Sequence, residues 1–327
     1  MNKVCIVGAG AIGGWIGTWL AATGRAEVTA LARGATLDNL RRHGWRVKGA
    51  DGLVTVKAVA RDNAADLGVQ DLVIIAVKGT ALTAVASQLQ PLLASHTVVL
   101  PAMNGVPWWF CKDVPEFANA RLKSIDPDGA IERAVPYQNV LGCVVHVAAA
   151  APEPGLVANT MGRGLIIGEP RGGESRRAQE VTALLTHAGF EATCSPNVRA
   201  EIWYKLWGNM TMNPVSAITG ATIDRLLGDP LVRNFCSAVM REAARIGARI
   251  GCRIDQSEED RHAVTEKLGG FKTSMLQDVE AGRAIELDAL VTAVREIGQH
   301  LGEPTPFIDG LLGLTRLFAR GRGLYPG

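Results

Sequence analysis

A parallel α/β amino-terminal domain followed by an all-α carboxyl-terminal domain is what this sequence predicts, and three observations carry that prediction. Over the first hundred residues, short fully apolar runs alternate with helix-like segments, the pattern of a parallel sheet covered by helices on both faces. A glycine-rich turn stands between the first such run and the first such helix. From Asn197 onward long helical periodicities take over and strand signals almost vanish, with Leu206, Met210, Val215, Leu226, Val239, Ile246 and Ile250 among the apolar positions.

The elements follow in order. Val4–Val7 reads as a strand, Ile12–Ala22 as a helix and Val28–Ala32 as the second strand. Trp45–Val47 and Leu53–Val56, joined across Gly49-Ala50-Asp51-Gly52, read as an inserted β-hairpin. Leu72–Val77 is a strand, Ala81–Leu93 a helix and Val98–Leu100 a strand. From Val140 to Ile167 the pattern is strand-like and broken at Pro152-Glu153-Pro154-Gly155 and at Gly162-Arg163-Gly164. A helix around Ala178–Ala188 and a strand Phe190–Cys194 close the first domain, so the boundary falls near Ser195-Pro196. The tail Ala319–Gly327 is expected to fray.

At 327 residues the chain suits two domains, and 47% hydrophobic with 20% charged residues is ordinary globular usage. A net charge of +2 gives no reason to expect a nucleic-acid or membrane partner, so any cationic site is local. Six scattered cysteines without a Cys-x-x-Cys pair fit a reducing compartment and a cytoplasmic protein. The apolar run before the glycines spans only Val4–Gly8, too short for a signal-peptide core. The run nearest to a membrane span, Val140–Pro152, is interrupted by His146. The six histidines are dispersed and no metal-ligand spacing occurs, so no metal is expected.

The turn Gly8-Ala9-Gly10-Ala11-Ile12-Gly13 is the dinucleotide fingerprint in its required context, after a strand and opening a helix. Gly8 permits the tight turn, Gly10 lets the backbone approach a pyrophosphate, Gly13 lets helix and strand pack closely, and the helix amino terminus faces the anion. The first domain is thus of Rossmann type; the other reading is a purely structural strand-to-helix turn. Where an NAD site carries an acid at the end of the second strand, Glu27-Val-Thr-Ala-Leu-Ala-Arg33 ends in arginine. A guanidinium suits a 2′-phosphate, which favours NADP(H), against an ordinary solvated Arg33. Lys78 is a second cation at the carboxyl edge of the sheet, where ligands of open α/β folds bind.

Two later segments carry polar residues that packing does not require. In the run from Glu201 to Pro214, Glu201, Lys205, Asn209 and Asn213 recur every four positions. On a helix each such step drifts by only about 40°, so Lys205, Asn209 and Asn213 share one broad face. The bland alternative is a Glu201–Lys205 surface pair and two solvated asparagines. The second segment runs from Lys272 through Ser274 and Asp278 to Glu286 and Asp288, and by itself reads as two helices around a glycine-marked turn.

Taken together, GAGAIGG, Met103-Asn104-Gly105, KLWGNMTMNP and KTSMLQDVEAGRAIELDAL resemble the 2-dehydropantoate 2-reductase (ketopantoate reductase) family over nearly the whole chain. The resemblance implies an NADP-binding Rossmann-type domain (1–195), an all-helical substrate and catalytic domain (196–327) and an active site in the cleft between them. It implies NADPH-dependent reduction of a 2-oxo acid, 2-dehydropantoate to pantoate in pantothenate and coenzyme A synthesis. Carried onto this chain, the family's catalytic lysine falls on Lys205, the general acid, with Glu286 near it and near the nicotinamide ribose. Asn104 matches the asparagine between nicotinamide and substrate, and Asn209, Asn213 and Ser274 match substrate contacts. Ala148 matches a cofactor-lining backbone position, and Asp278 a structural partner of the cluster.

The chain departs from compact members in two places. The connection Lys112–Pro136 is long and contains Asp126-Pro-Asp-Gly129, expected to be an exposed turn, and Ile223 replaces a polar asparagine. A paralogue reducing another branched or bulky 2-oxo acid is therefore the runner-up, and a non-catalytic NADP-sensing protein the competitor from another class. A homodimer formed through the helical domain is compatible with the sequence.

Overall fold

The structure, a computed structural model, describes residues 1–49, 52–118 and 120–326. It divides into two compact units, one of residues 1–103 and 128–201, the other of residues 104–127 and 202–327.

In the first unit β1 (Lys3–Val7), α1 (Ala11–Ala22), β2 (Glu27–Leu31) and α2 (Gly34–His43) follow one another at the amino terminus. The hairpin β3 (Trp45–Gly49) and β4 (Gly52–Val56) comes next, then β5 (Val59–Arg61), β6 (Leu72–Ile75), α3 (Gly79–Ala86) and β7 (Val98–Pro101). After the excursion into the other unit the chain adds α4 (Ala130–Ala134), β8 (Gly142–Glu153), β9 (Leu156–Gly168), α5 (Arg176–His187) and β10 (Glu191–Cys194). Strands β5-β2-β1-β6-β7 form a five-stranded sheet, parallel at every pairing. The four residues of β6 and of β7 are all buried, which is why these strands read as unbroken apolar runs.

A second sheet, β10-β9-β3-β4 with β8 antiparallel to β9, receives the inserted hairpin. Helix α1 packs against strands of both sheets: Trp15 meets Phe190 edge-on at 4.6 Å, and it shares one core with Ile6, Trp45, Val157 and Leu165. A helix apolar on nearly every side is what such a double contact requires.

Several expectations change here. Strand β5 was missing from the sequence reading, because its three residues show no apolar run; it pairs with β2 at the sheet edge. The helix expected over 81–93 stops at Ala86, and a 3₁₀ turn Gln90–Leu92 built around Pro91 follows. Gly162-Arg163-Gly164 does not break the strand: β9 runs through it, with Gly162 at φ +76° and the pairing register shifted between His146 and Ala148. Ala50 and Asp51, the centre of the expected hairpin turn, lie outside the described residues.

The second unit is helical, with α6 (Val198–Thr219) entering it from the first, then α7 (Ile223–Gly228), α8 (Pro230–Arg249), α9 (Glu258–Glu266), α10 (Ser274–Glu280), α11 (Ala293–Leu301) and α12 (Pro306–Arg320). A π-helical turn, Asp288–Thr292, precedes α11. Residues 104–127 belong to this unit because their side chains are its core: Phe110 stacks on Trp203 at 5.7 Å and Phe117 on His300 at 4.2 Å. The Ser124 amide and hydroxyl both donate to Glu296. Asp126, expected in an exposed turn, is fully buried. Through Pro326 the tail is ordered rather than frayed; Leu324 is 5% exposed and its amide donates to Ala319. Among the described residues no helix is long and apolar enough to cross a membrane.

Candidate active site

The glycines at the start of α1 have three different reasons to be glycine. Gly8 sits at φ +89°, where a Cβ would also come within 2.5 Å of Val77. A Cβ on Gly13 would lie 2.0 Å from the Gly8 carbonyl oxygen, so helix and turn could not close. Gly10 has φ −76° and no protein atom within 4 Å of where a Cβ would stand. The fold itself does not need Gly10; the space over it is open. Gly10 is also the N-cap of α1, and no side chain caps this helix. Open space over bare amide groups at a twelve-residue helix start fits a pyrophosphate.

The two sequence-identified cations flank this turn. Val7 of β1 pairs with Leu31 of β2 on one side and with Ile75 of β6 on the other. Arg33 lies two residues beyond β2, is exposed and forms the N-cap position of α2. Lys78 lies three residues beyond β6, half-buried, at the N-cap of α3. Ala148 is half-buried in β8, with the register against β9 shifting on both sides of it. Each of these residues belongs to the first unit.

In the second unit the polar stripe falls on α6 as its spacing requires. Two indoles set the rotation of this helix: Trp203 Nε1 donates to the Ala243 carbonyl at 3.2 Å and Trp207 Nε1 to Met240 at 2.7 Å, both on α8. With that side committed, Lys205 and Asn209 stand half-buried, and Asn213 is 6% exposed. Lys205 Nζ donates to Asn104 Oδ1 at 2.7 Å, joining residues 101 apart in sequence. An amide oxygen is a neutral acceptor, so it orients the ammonium without cancelling its charge. Asn213 Nδ2 donates to Ser274 Oγ at 3.4 Å, at the first turn of α10, where the Thr273 hydroxyl caps the helix.

Glu286 is half-buried between α10 and the π turn, and Asp278 accepts from Arg283 Nε at 2.9 Å. Ile223 is 2% exposed at the start of α7, and its amide donates to Phe271. The structure therefore brings together Lys205 with Asn104 and Asn213 with Ser274. The sequence names Gly105 only within the Met103-Asn104-Gly105 motif, without a role; its φ of +84° carries the chain past the π turn with a would-be Cβ 2.5 Å from the Ala289 oxygen. The Asn-Gly pair was its signal.

The fold gives the class first: a dinucleotide-type α/β unit joined to a helical one, with a lysine-centred polar cluster in the latter, is the architecture of a cofactor-dependent oxidoreductase. Residues 4–172 match the family model described as ketopantoate reductase PanE/ApbA, and residues 197–319 match the model of its C-terminal part. A 2-dehydropantoate 2-reductase of Mesorhizobium japonicum is 40% identical over 99% of both chains. A crystal structure assigned as a ketopantoate reductase from Ralstonia solanacearum superposes with a TM-score of 0.95 at 53% identity, covering 99% of this chain and 100% of that one. D-mandelate dehydrogenase, solved with NADH and anilino(oxo)acetate, shares the fold alone, with a TM-score of 0.84, 23% identity and coverage of 98% and 99%. The chain belongs to the ketopantoate reductase family and is an oxidoreductase of that family.

Proposed function

We propose that this protein reduces 2-dehydropantoate to pantoate with NADPH, in the route to pantothenate and coenzyme A. One observation carries the reading above others: Asn104, from a distant loop, accepts a 2.7 Å bond from Lys205, which stands on the helix face that also carries Asn209 and Asn213. The name of the Mesorhizobium relative supports the substrate. The bare start of α1, with Arg33 and Lys78 on the two adjoining strand ends, supports the cofactor and its 2′-phosphate.

When bound, NADPH supplies a hydride to the carbonyl carbon. The growing charge on the carbonyl oxygen is met by the Lys205 ammonium, which stabilises it and hands over a proton from Nζ. Asn104 keeps that ammonium pointed, Glu286 helps hold the lysine's orientation, and Asn209, Asn213 and Ser274 hold the substrate carboxylate and hydroxyl. Arg33, Lys78 and the backbone of Gly8–Gly13 and Ala148 hold the dinucleotide.

A second reading, reduction of another bulky 2-oxo acid, is favoured by Ile223, which is packed away at 2% exposure and offers no polar group. The fold also serves D-mandelate dehydrogenase, so its substrate range extends beyond one acid. A steady-state assay of NADPH oxidation with ketopantoate and a panel of 2-oxo acids separates the two. The highest kcat/KM is expected for ketopantoate. A better bulky acid establishes the second reading, and no turnover with any 2-oxo acid removes both.

A further inference from the structure

The carboxyl-terminal tail makes contacts that the reaction as described does not use. After α12 the chain turns back, and the Leu324 carbonyl accepts from the Ile285 amide at 3.1 Å, directly beside Glu286. The next residue, Tyr325, donates its hydroxyl to Asp288 Oδ1 at 2.5 Å. Thr292 Oγ1 donates to the same oxygen at 3.0 Å. Asp288 and Thr292 are the two ends of the π turn, so one carboxylate oxygen ties its first residue to its last and both to the tail. Arg320 Nε donates to the Pro326 carbonyl at 2.8 Å, fixing the tail on its other side.

The π turn in turn seats a site residue. Its second residue, Ala289, accepts the Val106 amide at 2.8 Å, and Gly105 passes too close to that carbonyl for any side chain. Asn104, the partner of Lys205, is the residue just before. A π turn carries one residue more than an α-helical turn, a rare geometry that is frequent at functional sites. Half-buried Tyr325 is suited to holding it: burial, and then its bond to Asp288, push the phenol up to about 12, so it stays a donor at any working pH.

We propose that Tyr325 is a positioning residue: through Asp288 it fixes the π turn that sets the Asn104 loop against Lys205 and holds Glu286 in place. Its effect on turnover rests on the proton-donor role given above to Lys205. Tyr325→Phe removes one hydroxyl from a half-buried ring and keeps the packing. It is expected to speed amide exchange of Val106 and of residues 285–293 roughly tenfold in the unliganded protein, with the rest of the chain unchanged. The same variant is expected to lower kcat roughly tenfold while leaving the NADPH dissociation constant, read by fluorescence, as in the parent. Asp288→Ala, which also removes the Thr292 bond, should lower kcat at least as far as Tyr325→Phe, and the double variant should be no worse than Asp288→Ala alone. Asp288→Asn retains an acceptor oxygen for both hydroxyls and should restore most of the lost turnover.

Unchanged exchange at Val106 and 285–293 overturns the proposal. So does faster exchange with parental kcat, or a kcat loss that Asp288→Asn does not rescue. The exchange measurement needs no substrate, so a wrong reductase assignment shows itself separately, in the 2-oxo acid panel.

Discussion

The start of α1 leaves side chains out, whereas α6 aligns them along one face. The glycine turn is continuous in sequence, and what it offers are backbone amides whose positions follow from φ values and from close approaches within the turn and to Ala76 and Val77 just after β6. The lysine cluster draws on residues 104, 205–213 and 274, and its geometry depends on the rotation of α6, set by its own two indoles bonded to carbonyls of α8. A backbone site of the first kind is insensitive to most substitutions and intolerant of a few. A side-chain site of the second kind spreads its sensitivity over every residue that orients it.

The largest expected effect tests the second site. Lys205→Ala should lower kcat by roughly 10²–10⁴-fold, the usual share of a positioned acid, while the NADPH dissociation constant measured by fluorescence stays unchanged. Near-parental turnover would remove Lys205 from the chemistry. Next, the glycines can be set against one another. Gly13→Ala forces a Cβ to 2.0 Å from a backbone oxygen and should cost about 1–3 kcal/mol or more in denaturant melts. Gly10→Ala meets no protein atom, so its melt should be parental and its loss should appear only in cofactor affinity. Equal stability losses at both positions would break the claim that Gly10 is kept for a ligand.

A smaller effect is expected at the edge of the turn. Arg33→Ala should weaken NADPH roughly tenfold and leave NADH nearly unaltered, because an exposed guanidinium gains only from the added phosphate. Titrations of both nucleotides read this, and equal losses would return Arg33 to the solvent. The smallest effect concerns stability of the helical unit. His262 is fully buried with Nε2 2.9 Å from Ser237 Oγ. Burial holds it below its ordinary value of 6.5, Arg233 adds to this, and Glu259, Glu266 and Glu258 oppose it. The folded state keeps the imidazole neutral, while the unfolded chain takes up a proton as pH falls through about 6.5. Stability contributed by this group is therefore complete above that pH and declines below it. In His262→Gln the fall in melting temperature between about pH 8 and about pH 5.5 should be smaller than in the parent.

The contrast between the two sites also explains what could be seen in the sequence. Strands β1, β2, β6 and β7 and helix α1 were visible because a buried parallel sheet writes continuous apolar runs. The hairpin β3–β4 was visible too, but not its parallel partner β9 more than a hundred residues on, since pairing register leaves no local mark. Strand β5 is too short to show a period, and Gly162 looked like a break because glycine serves both turns and bulges. At the site, the four-residue spacing placed Lys205, Asn209 and Asn213 on one face. The π turn could not be foreseen, because one inserted residue changes no residue type, and Tyr325 reaches Asp288 across 37 positions.

The excursion of residues 104–127 into the helical unit has a consequence for how this chain can be taken apart. The two family models divide at a single stretch between 172 and 197, yet a fragment made by that cut would carry Trp203 without Phe110 and Glu296 without Ser124. It would also carry Lys205 without Asn104. The helical unit is thus not a detachable cassette. On a ribosome its first core residues emerge a hundred positions ahead of the helices that bury them, and they must wait for those helices before the lysine acquires its partner.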